Sequence, residues 1–105
     1  MGIDKNHPKY KQLLTVSNPL TVVAKKNKYL GKDIEIFISD NKDKKYMIIT
    51  PDNKKVHIGN INYEDYTKHL SETRRKSYLA RASNIKGYWK SNKYSPNNLA
   101  IHLLW

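Results

Sequence analysis

The stretch from Arg74 to Lys93, RRKSYLARASNIKGYWKSNK, is the part of the sequence best suited to chemistry with a polyanion. It holds seven Lys or Arg residues and three aromatic rings, and it contains no Asp or Glu. Lys and Arg neutralise phosphates and release counterions, and exposed rings stack on unpaired bases. The stretch therefore predicts contact with the phosphate backbone of nucleic acid, without base-specific readout.

The predicted nucleic-acid-binding residues are the cations of this stretch and two of its rings. They are Arg74, Arg75, Lys76, Arg81, Lys86, Tyr88, Trp89, Lys90 and Lys93. A second interpretation stays open, in which Tyr78 belongs to the core, Tyr88 and Trp89 fill the seam between helix and sheet, and the cations only solvate the surface.

Asp65 and His69 form the second group with chemical potential. They stand four residues apart in YEDYTKH, on one face of a short helix, and an Asp-His pair can act as a general base. No serine or other nucleophile is identifiable as a third member. In the alternative, structural interpretation the carboxylate caps the helix and satisfies the histidine, while Arg75 pairs with an acid because a buried charge needs a partner.

No catalytic residue, metal ligand or cofactor is predicted, and the chain is not expected to be an enzyme. The four histidines are too scattered for a ligand motif, and no Cys supplies a thiolate. Pro51-Asp52 is not followed by the Glu-x-Lys or Asp-x-Lys triplet that metal-dependent phosphodiester cleavage would need. Gly31-Lys32 lacks the upstream glycine and the following Ser or Thr of a phosphate-binding loop.

The charge balance limits the partners. The chain of 105 residues has 20 Lys and Arg against 9 Asp and Glu, a formal net charge of +11, and such a field attracts polyanions. Nucleic acid is the expected partner, and an acidic protein or an anionic surface are the other candidates that the charge admits. No apolar run approaches the roughly 18 residues that span a bilayer. The polar start MGIDKN begins no signal peptide, so neither a membrane partner nor secretion is expected.

The elements that must position these residues form one α+β domain. Residues 1–20 are predicted to be an N-terminal arm and residues 21–105 the domain, with a short strand near Thr21 to Val23. DIEIFISD alternates apolar and polar residues with a period of two, and YMIIT and VHIG follow after polar turns. These runs predict a small antiparallel β-meander of three or four strands, covered by two or three C-terminal helices.

Helix signals follow the meander. Asn62 is predicted to cap a short helix with Asp65 in the reciprocal position, and Ser71 is predicted to cap a helix that runs to about Asn84. In that second helix an apolar stripe of Tyr78, Leu79, Ala82 and Ile85 should face the core, with Arg74 and Arg81 together at its edge. Ser95-Pro96 then begins the last helix.

The last helix, which ends in NNLAIHLLW, is apolar nearly all round. Such a helix is either buried or open to a partner, so Leu99, Leu103 and Trp105 are candidate protein-interaction residues, together with the free edge of the sheet. They support an alternative function, a structural protein that acts through protein-protein contacts of its C-terminal apolar helix and sheet edge. The competing interpretation is that Trp105 folds back and completes the core.

From Lys54 onwards the sequence resembles a family of small basic proteins encoded by large DNA viruses of algae and amoebae and by some phages. The residues that carry the resemblance are Gly59, Tyr63, Asp65, Tyr66, Thr67, His69, Arg74, Arg75, Tyr78, Leu79, Arg81, Trp89, Leu103, Leu104 and Trp105. The chain departs from the pattern at Ala82, where His is usual, and at Leu70, where Lys is common. The resemblance implies a viral origin, an α+β module and a location in the virion or in the viral factory of the host cytoplasm; it implies no particular activity. With that origin, the alternative function becomes that of a virion structural or capsid-associated protein with a virion protein partner.

Overall fold

The computed structural model describes residues 3–105 and has the predicted α+β architecture. A 3₁₀ turn at Trp89–Ser91 precedes the last helix. The helices are α1 (Tyr10–Leu14), α2 (Pro19–Leu30), α3 (Tyr66–His69), α4 (Glu72–Ser83) and α5 (Pro96–Leu104), and the strands are β1 (Ile36–Ile38), β2 (Lys44–Ile49) and β3 (Lys55–Asn60).

The three strands form the predicted antiparallel meander, in the order β1-β2-β3. Ile36 lies opposite Ile48, and Tyr46 lies opposite Ile58. All four of these side chains are buried. The period of two therefore sets the register, since a shift by one residue would turn these side chains to the other face.

Helix α5 covers the sheet. It packs on β3, α2 packs on α5, and α4 packs against α3 and α5. Removal of apolar surface from water is the main force that joins these layers. The buried core consists of Leu13, Val22, Ile36, Ile38, Tyr46, Ile48, Ile58, Ile61, Leu99, Ala100, Leu103 and Leu104.

The N-terminal third of the chain differs from the prediction. Thr21 to Val23 lies inside helix α2, so the predicted strand is wrong. Asn18 caps this helix by accepting a hydrogen bond from the Thr21 amide, and Pro19 is its first residue. Val22 is fully buried in the core, and this packing outweighs the slight preference of β-branched residues for strands. Within the predicted N-terminal arm, of which residues 3–20 are described, Leu13 of α1 is fully buried in the same core.

The predicted caps of the later helices are confirmed with one exception. The Ser71 and Ser95 hydroxyls accept hydrogen bonds from the amides of Arg74 and Asn98, so α4 and α5 begin as predicted. Helix α3 is capped by Asp65 and not by Asn62. Because α4 ends at Ser83, Ile85 lies beyond its last turn and is exposed, so Ile85 does not belong to the buried stripe.

Candidate nucleic-acid interface

An open cleft of about 550 Å³ lies between the sheet and the last two helices, and we call it the basic cleft. Its walls come from β2 and β3, from the turn after β3, from α4 and from α5. Four cationic side chains line it, Lys44, Lys45, Arg74 and Arg81, against the two carboxylates of Glu64 and Asp65. The lining charge is therefore +4 and −2, a balance of +2, so the basic cleft favours an anion.

Gly59 gives the basic cleft its floor. Its φ of +78° lies in the left-handed region, which side chains other than glycine rarely adopt. A Cβ at this position would lie 2.9 Å from Cδ of Lys45 and 3.0 Å from Cδ1 of Leu104. The floor thus depends on a residue without a side chain, since any other residue would strain the backbone and push against both neighbours.

A buried ion pair lies beneath this floor. Nζ of Lys45 is 3.1 Å from Oδ2 of Asp65, and the two side chains are 2% and 1% exposed. Burial lowers the pKa of Lys45, and the Asp65 carboxylate counteracts part of that effect. Asp65 also accepts hydrogen bonds from the amide and the hydroxyl of Thr67, and the Val16 carbonyl accepts one from Lys45. A buried charge is tolerated only when it is paired and hydrogen-bonded, and both charges here are.

Helix α4 forms the cationic wall of the basic cleft. Arg74 and Arg81 are seven residues apart, about 20° on a helix, so they lie on the same side of α4 as predicted, and both line the basic cleft. Nη1 of Arg74 lies 3.1 Å from Oε1 of Glu64, which offsets part of its charge. Arg81 has no acid partner within residues 3–105; its Nε donates to the Ser77 carbonyl at 3.4 Å. Arg81 is therefore the better placed of the two to meet an incoming anion.

Aromatic side chains stand beside these cations. The Tyr78 ring stacks on Trp105, with centroids 4.2 Å apart and planes at 8°. Burial raises the pKa of Tyr78, which stays a neutral phenol. Tyr63 also lines the basic cleft and is 68% exposed, so a face of its ring is open to a ligand.

The second cationic region is the segment of residues 84–93, which we call the lysine segment. Lys86, Lys90 and Lys93 are exposed and form no ion pair within residues 3–105. Tyr88 is 94% exposed, so the interpretation that it fills a seam between helix and sheet is wrong. Trp89 is half-buried, and its ring nitrogen donates to the Ile85 carbonyl at 2.7 Å.

The lysine segment is held by Asn98 of the last helix, together with the hydroxyls of Ser95 and Tyr29, which donate to the carbonyls of Trp89 and Lys93 at 3.0 and 3.2 Å. Nδ2 of Asn98, which is buried, donates to the carbonyls of Trp89 and Asn92 at 2.8 Å and to that of Lys90 at 3.3 Å. Lys90 lies over the Trp89 ring at 5.6 Å. The segment thus has a defined path although it forms no regular helix or strand beyond the 3₁₀ turn.

Two of the predicted contact residues, Arg75 and Lys76, do not line the basic cleft. Arg75 is partly exposed and packs against the rest of the fold: its Nε donates to the main-chain oxygen of Trp105 at 2.8 Å, its Nη1 lies 4.0 Å from Glu72, and its guanidinium lies over the Tyr66 ring. This confirms the predicted pairing of Arg75 with an acid. Lys76 is five residues from Arg81, about 140° around α4, and does not line the basic cleft.

The candidate protein-interaction residues are not a free surface. Leu99 and Leu103 are fully buried in the core, so the last helix is apolar all round because it is enclosed. Trp105 is half-buried against Tyr78 and lies near the His69 ring, which agrees with the alternative that it folds back onto the domain. A protein partner cannot use Leu99 or Leu103 without unfolding this layer.

Asp65 and His69 do not form a pair. Asp65 binds Lys45 and Thr67, whereas Nδ1 of His69 accepts a hydrogen bond from the Ser71 amide at 2.9 Å. Nε2 of His69 is buried and has no hydrogen-bond partner among the described residues. Burial and the nearby Arg74 charge lower the pKa of His69. The predicted contact between the cap carboxylate and the histidine is therefore wrong, because Asp65 binds Lys45 and Thr67 and His69 accepts its hydrogen bond from the Ser71 amide.

Sequence reasoning missed two residues of the basic cleft, Lys44 and Tyr63. A signal for them existed in Gly59, since a glycine within a strand marks a bulge or a close approach of another group. It also missed an apolar groove of about 700 Å³ next to β1, where Leu20 is 80% exposed and Val23 and Ile34 contribute to the lining.

Within residues 3–105, no three His, Cys, Asp or Glu side chains gather as a metal site would require. Each helix in these residues is too short or too polar to span a bilayer.

Part of the chain is similar to a known protein family. Residues 34–82 match the model of a family of unknown function (DUF5754). The match spans the sheet, the turn with Tyr63, and α3 and α4 up to Ala82, so it includes the sheet wall and the α4 wall of the basic cleft and excludes the wall from α5. No curated protein and no solved structure matches the chain.

Proposed function

We propose that the protein is a non-catalytic nucleic-acid-binding protein that contacts the phosphate backbone and reads no base sequence. The observation that carries the proposal is a run of cations without acid partners beside exposed rings. Within residues 3–105, Arg81, Lys86, Lys90 and Lys93 form no ion pair with a carboxylate. Cations that are not neutralised by the protein itself remain available to replace the counterions of a phosphate chain.

Exposed rings favour nucleic acid over other polyanions. Tyr88 lies in the lysine segment and Tyr63 lies in the basic cleft, and both rings are largely exposed. A large apolar ring in water has no energetic advantage by itself, whereas stacking on a base stabilises a complex by about 1–3 kcal/mol per base. An acidic protein partner would use the cations but would not need the rings.

The predicted contact residues take different roles in this proposal. Arg74 and Arg81 bind phosphate from the wall of the basic cleft, and the lysines of the lysine segment extend the cationic surface along the strand. Arg75 supports the fold through Trp105, and Lys76 on the other flank of α4 adds only to the general field. The likeness to proteins of large DNA viruses supports a place in the virion or in a cytoplasmic viral factory, where packaged or replicating nucleic acid is the partner.

The salt dependence of binding tests the proposal. Affinity for a 20-base-pair duplex is measured at several salt concentrations for the natural chain, for Arg74→Gln/Arg81→Gln and for Lys11→Gln/Lys32→Gln, a matched pair that removes the same charge away from the basic cleft. Each lost phosphate contact lowers the slope of log affinity on log salt by about 0.9, so the first variant should lose up to about 1.8. The control should keep the slope.

Two results contradict the proposal. One is the absence of binding at low salt, and the other is an equal loss of slope in both variants, which would mean that net charge alone attracts the duplex. Circular dichroism of each variant checks that the fold is intact.

A second candidate function is a structural role through a protein partner at the β1 edge. The observation that favours it is the apolar groove beside β1, an edge strand of the sheet, with Leu20 80% exposed. An edge strand can pair with an extended segment of another chain. Such a complex would persist at high salt and weaken in Leu20→Asp but not in Lys28→Asp on the same helix; equal effects of the two variants would contradict it.

A further inference from the structure

We propose that the basic cleft takes one unpaired nucleotide of a single strand, with its base on the Tyr63 ring and its phosphate at Arg81 and Arg74. This inference rests on the proposed function and makes it more specific, because it predicts a preference for single-stranded over double-stranded nucleic acid. In this arrangement the lysine segment contacts the neighbouring phosphates of the strand, whatever bases they carry.

The size of the basic cleft fits a nucleotide. Its volume of about 550 Å³ lies within the range of about 300–1,000 Å³ that is usual for small-molecule sites. A base held in a duplex is stacked and paired, so its ring face cannot enter a cleft of this kind. An unpaired base exposes both faces and can leave the strand to stack on an aromatic side chain.

The phosphate end of the basic cleft is defined by charge. Arg81 lies on its wall without an acid partner in residues 3–105, Arg74 shares its charge with Glu64, and Lys44 contributes from β2. The planar guanidinium of arginine presents parallel donors that match two phosphate oxygens. We expect Arg81 to make the stronger contact, since Arg74 must first release or share Glu64.

The base end is defined by apolar surface. Tyr63 offers an exposed ring, and Ala100, Leu104 and Trp105 line the same cleft. The stack of Trp105 on Tyr78 holds the Trp105 ring in place, so this side of the site is formed before any ligand arrives. A preformed apolar surface in the same cleft as the cations of α4 suits a nucleotide, which joins a flat apolar base to a charged phosphate.

The inference is tested with three 15-residue DNA probes at one salt concentration: a thymidine strand, a strand of abasic sites and a duplex. The natural chain should bind the thymidine strand more tightly than the other two. Tyr63→Ala should weaken binding of the thymidine strand about 5- to 150-fold, the equivalent of one lost base stack of about 1–3 kcal/mol. The same variant should bind the abasic strand and the duplex as the natural chain does, and Tyr63→Phe, which keeps the ring, should retain the tight binding.

A second measurement follows the site directly. In Trp89→Phe, Trp105 is the remaining tryptophan, so its emission should change when adenosine monophosphate is added and should change less with inorganic phosphate at the same concentration. Tyr63 is exposed, so Tyr63→Ala is expected to fold, and its thermal melting temperature checks this.

The outcomes separate this inference from the proposed function. Salt-dependent binding with equal affinity for the thymidine strand, the abasic strand and the duplex would overturn the inference and leave the proposed function standing. Absence of binding to all three probes would overturn both. Equal competition by polyglutamate of the same charge would show that the basic cleft recognises charge alone, and it would also overturn the inference.

Discussion

The helical half of the cation-rich stretch, residues 74–83, and the lysine segment, residues 84–93, have similar compositions and different surroundings. In the helical half, Arg74 pairs with Glu64 and Arg75 pairs with Glu72 and binds the Trp105 carbonyl. In the lysine segment the three lysines form no ion pair within residues 3–105. Arg81 also forms no such pair, so two of the three arginines in the helical half have acid partners, whereas none of the three lysines in the other half has one within residues 3–105.

This difference shows that a cationic stretch cannot be interpreted from its own sequence. The two acids that pair with Arg74 and Arg75 precede them in the chain, and Glu64 is ten residues away from Arg74. The three arginines form hydrogen bonds within the fold, which suits a defined phosphate site. The lysines are exposed and meet no carboxylate within residues 3–105, which suits contact with any phosphate nearby. Substitutions that affect only one half test whether the two halves contribute independently to stability and binding.

The largest loss of stability is expected from Asp65→Asn. Asp65 caps α3, against which the helical half packs. The change leaves the buried Lys45 without its counter-charge beneath the basic cleft. Loss of one partner from a buried pair costs about 3–5 kcal/mol. The free energy of unfolding, measured in urea, should fall by that amount.

The matched control is Asp40→Asn, which breaks an ion pair between Lys55 and Asp40 whose side chains are both more than half exposed. Solvent screens such a pair, so its loss should be far smaller. If the two variants were equally stable, the buried pair of Lys45 and Asp65 would stabilise the fold no more than an exposed pair does. The proposed structural support of the helical half would then be contradicted.

A smaller effect is expected from Asn98→Ala, which acts on the lysine segment. Three main-chain carbonyls of that segment each lose one donor, although the Trp89 carbonyl still accepts from the Ser95 hydroxyl. We expect a loss of about 1–3 kcal/mol and faster amide hydrogen exchange at residues 89–95, with unchanged exchange in β3. Asn62→Ala, at an exposed turn, is the control. Faster exchange throughout the chain would mean that the lysine segment does not open independently of the domain.

The smallest change in stability is expected from a change of pH. It acts through His69, whose pKa depends in part on Arg74 of the helical half. Burial, followed by the Arg74 charge, lowers the pKa of His69, while Glu64 and Asp65 oppose the change. The unfolded chain takes up a proton near pH 6.5 and the folded chain does so only at lower pH, so stability is present above about 6.5 and is lost as the pH falls through the folded pKa. Burial lowers the pKa of His102 as well, which adds a loss of the same sign.

His69→Asn separates the contribution of His69, because the asparagine oxygen can still accept the hydrogen bond from the Ser71 amide. Urea unfolding at pH 8 and at pH 5.5 should show a smaller loss of stability in this variant than in the natural chain. An identical loss in both would place the pH dependence elsewhere.

Much of the fold follows from local signals. The alternation in Ile34, Ile36 and Ile38 predicts the buried face of β1, and Ser71 and Ser95 predict the starts of α4 and α5. These features depend on residues within a few positions of one another, so a single sequence contains them. Helix α2 is the counterexample: Asn18-Pro19 is a cap and a first helical residue, but the pair is equally suited to a turn, and the β-branched residues after it favour a strand.

The candidate site follows less well from the sequence because it is assembled from distant segments. Arg74 and Arg81 could be placed on one side of a helix from their spacing alone. The pairing of Lys45 with Asp65 joins residues twenty positions apart, and Lys44 and Tyr63 meet Arg81 only after the sheet and α4 have packed. Tertiary contacts of this kind have no periodicity that a sequence could display.

The most direct test of the central claim, that the basic cleft and the lysine segment form the nucleic-acid surface, is an NMR titration of the isotope-labelled chain with a short thymidine strand. At low salt, amide shifts should concentrate at Lys44, Tyr63, Arg74, Arg81 and residues 85–93, and they should vanish when salt is raised. Shifts confined to the groove around Leu20, Val23 and Ile34, or no shifts at any salt concentration, would contradict it.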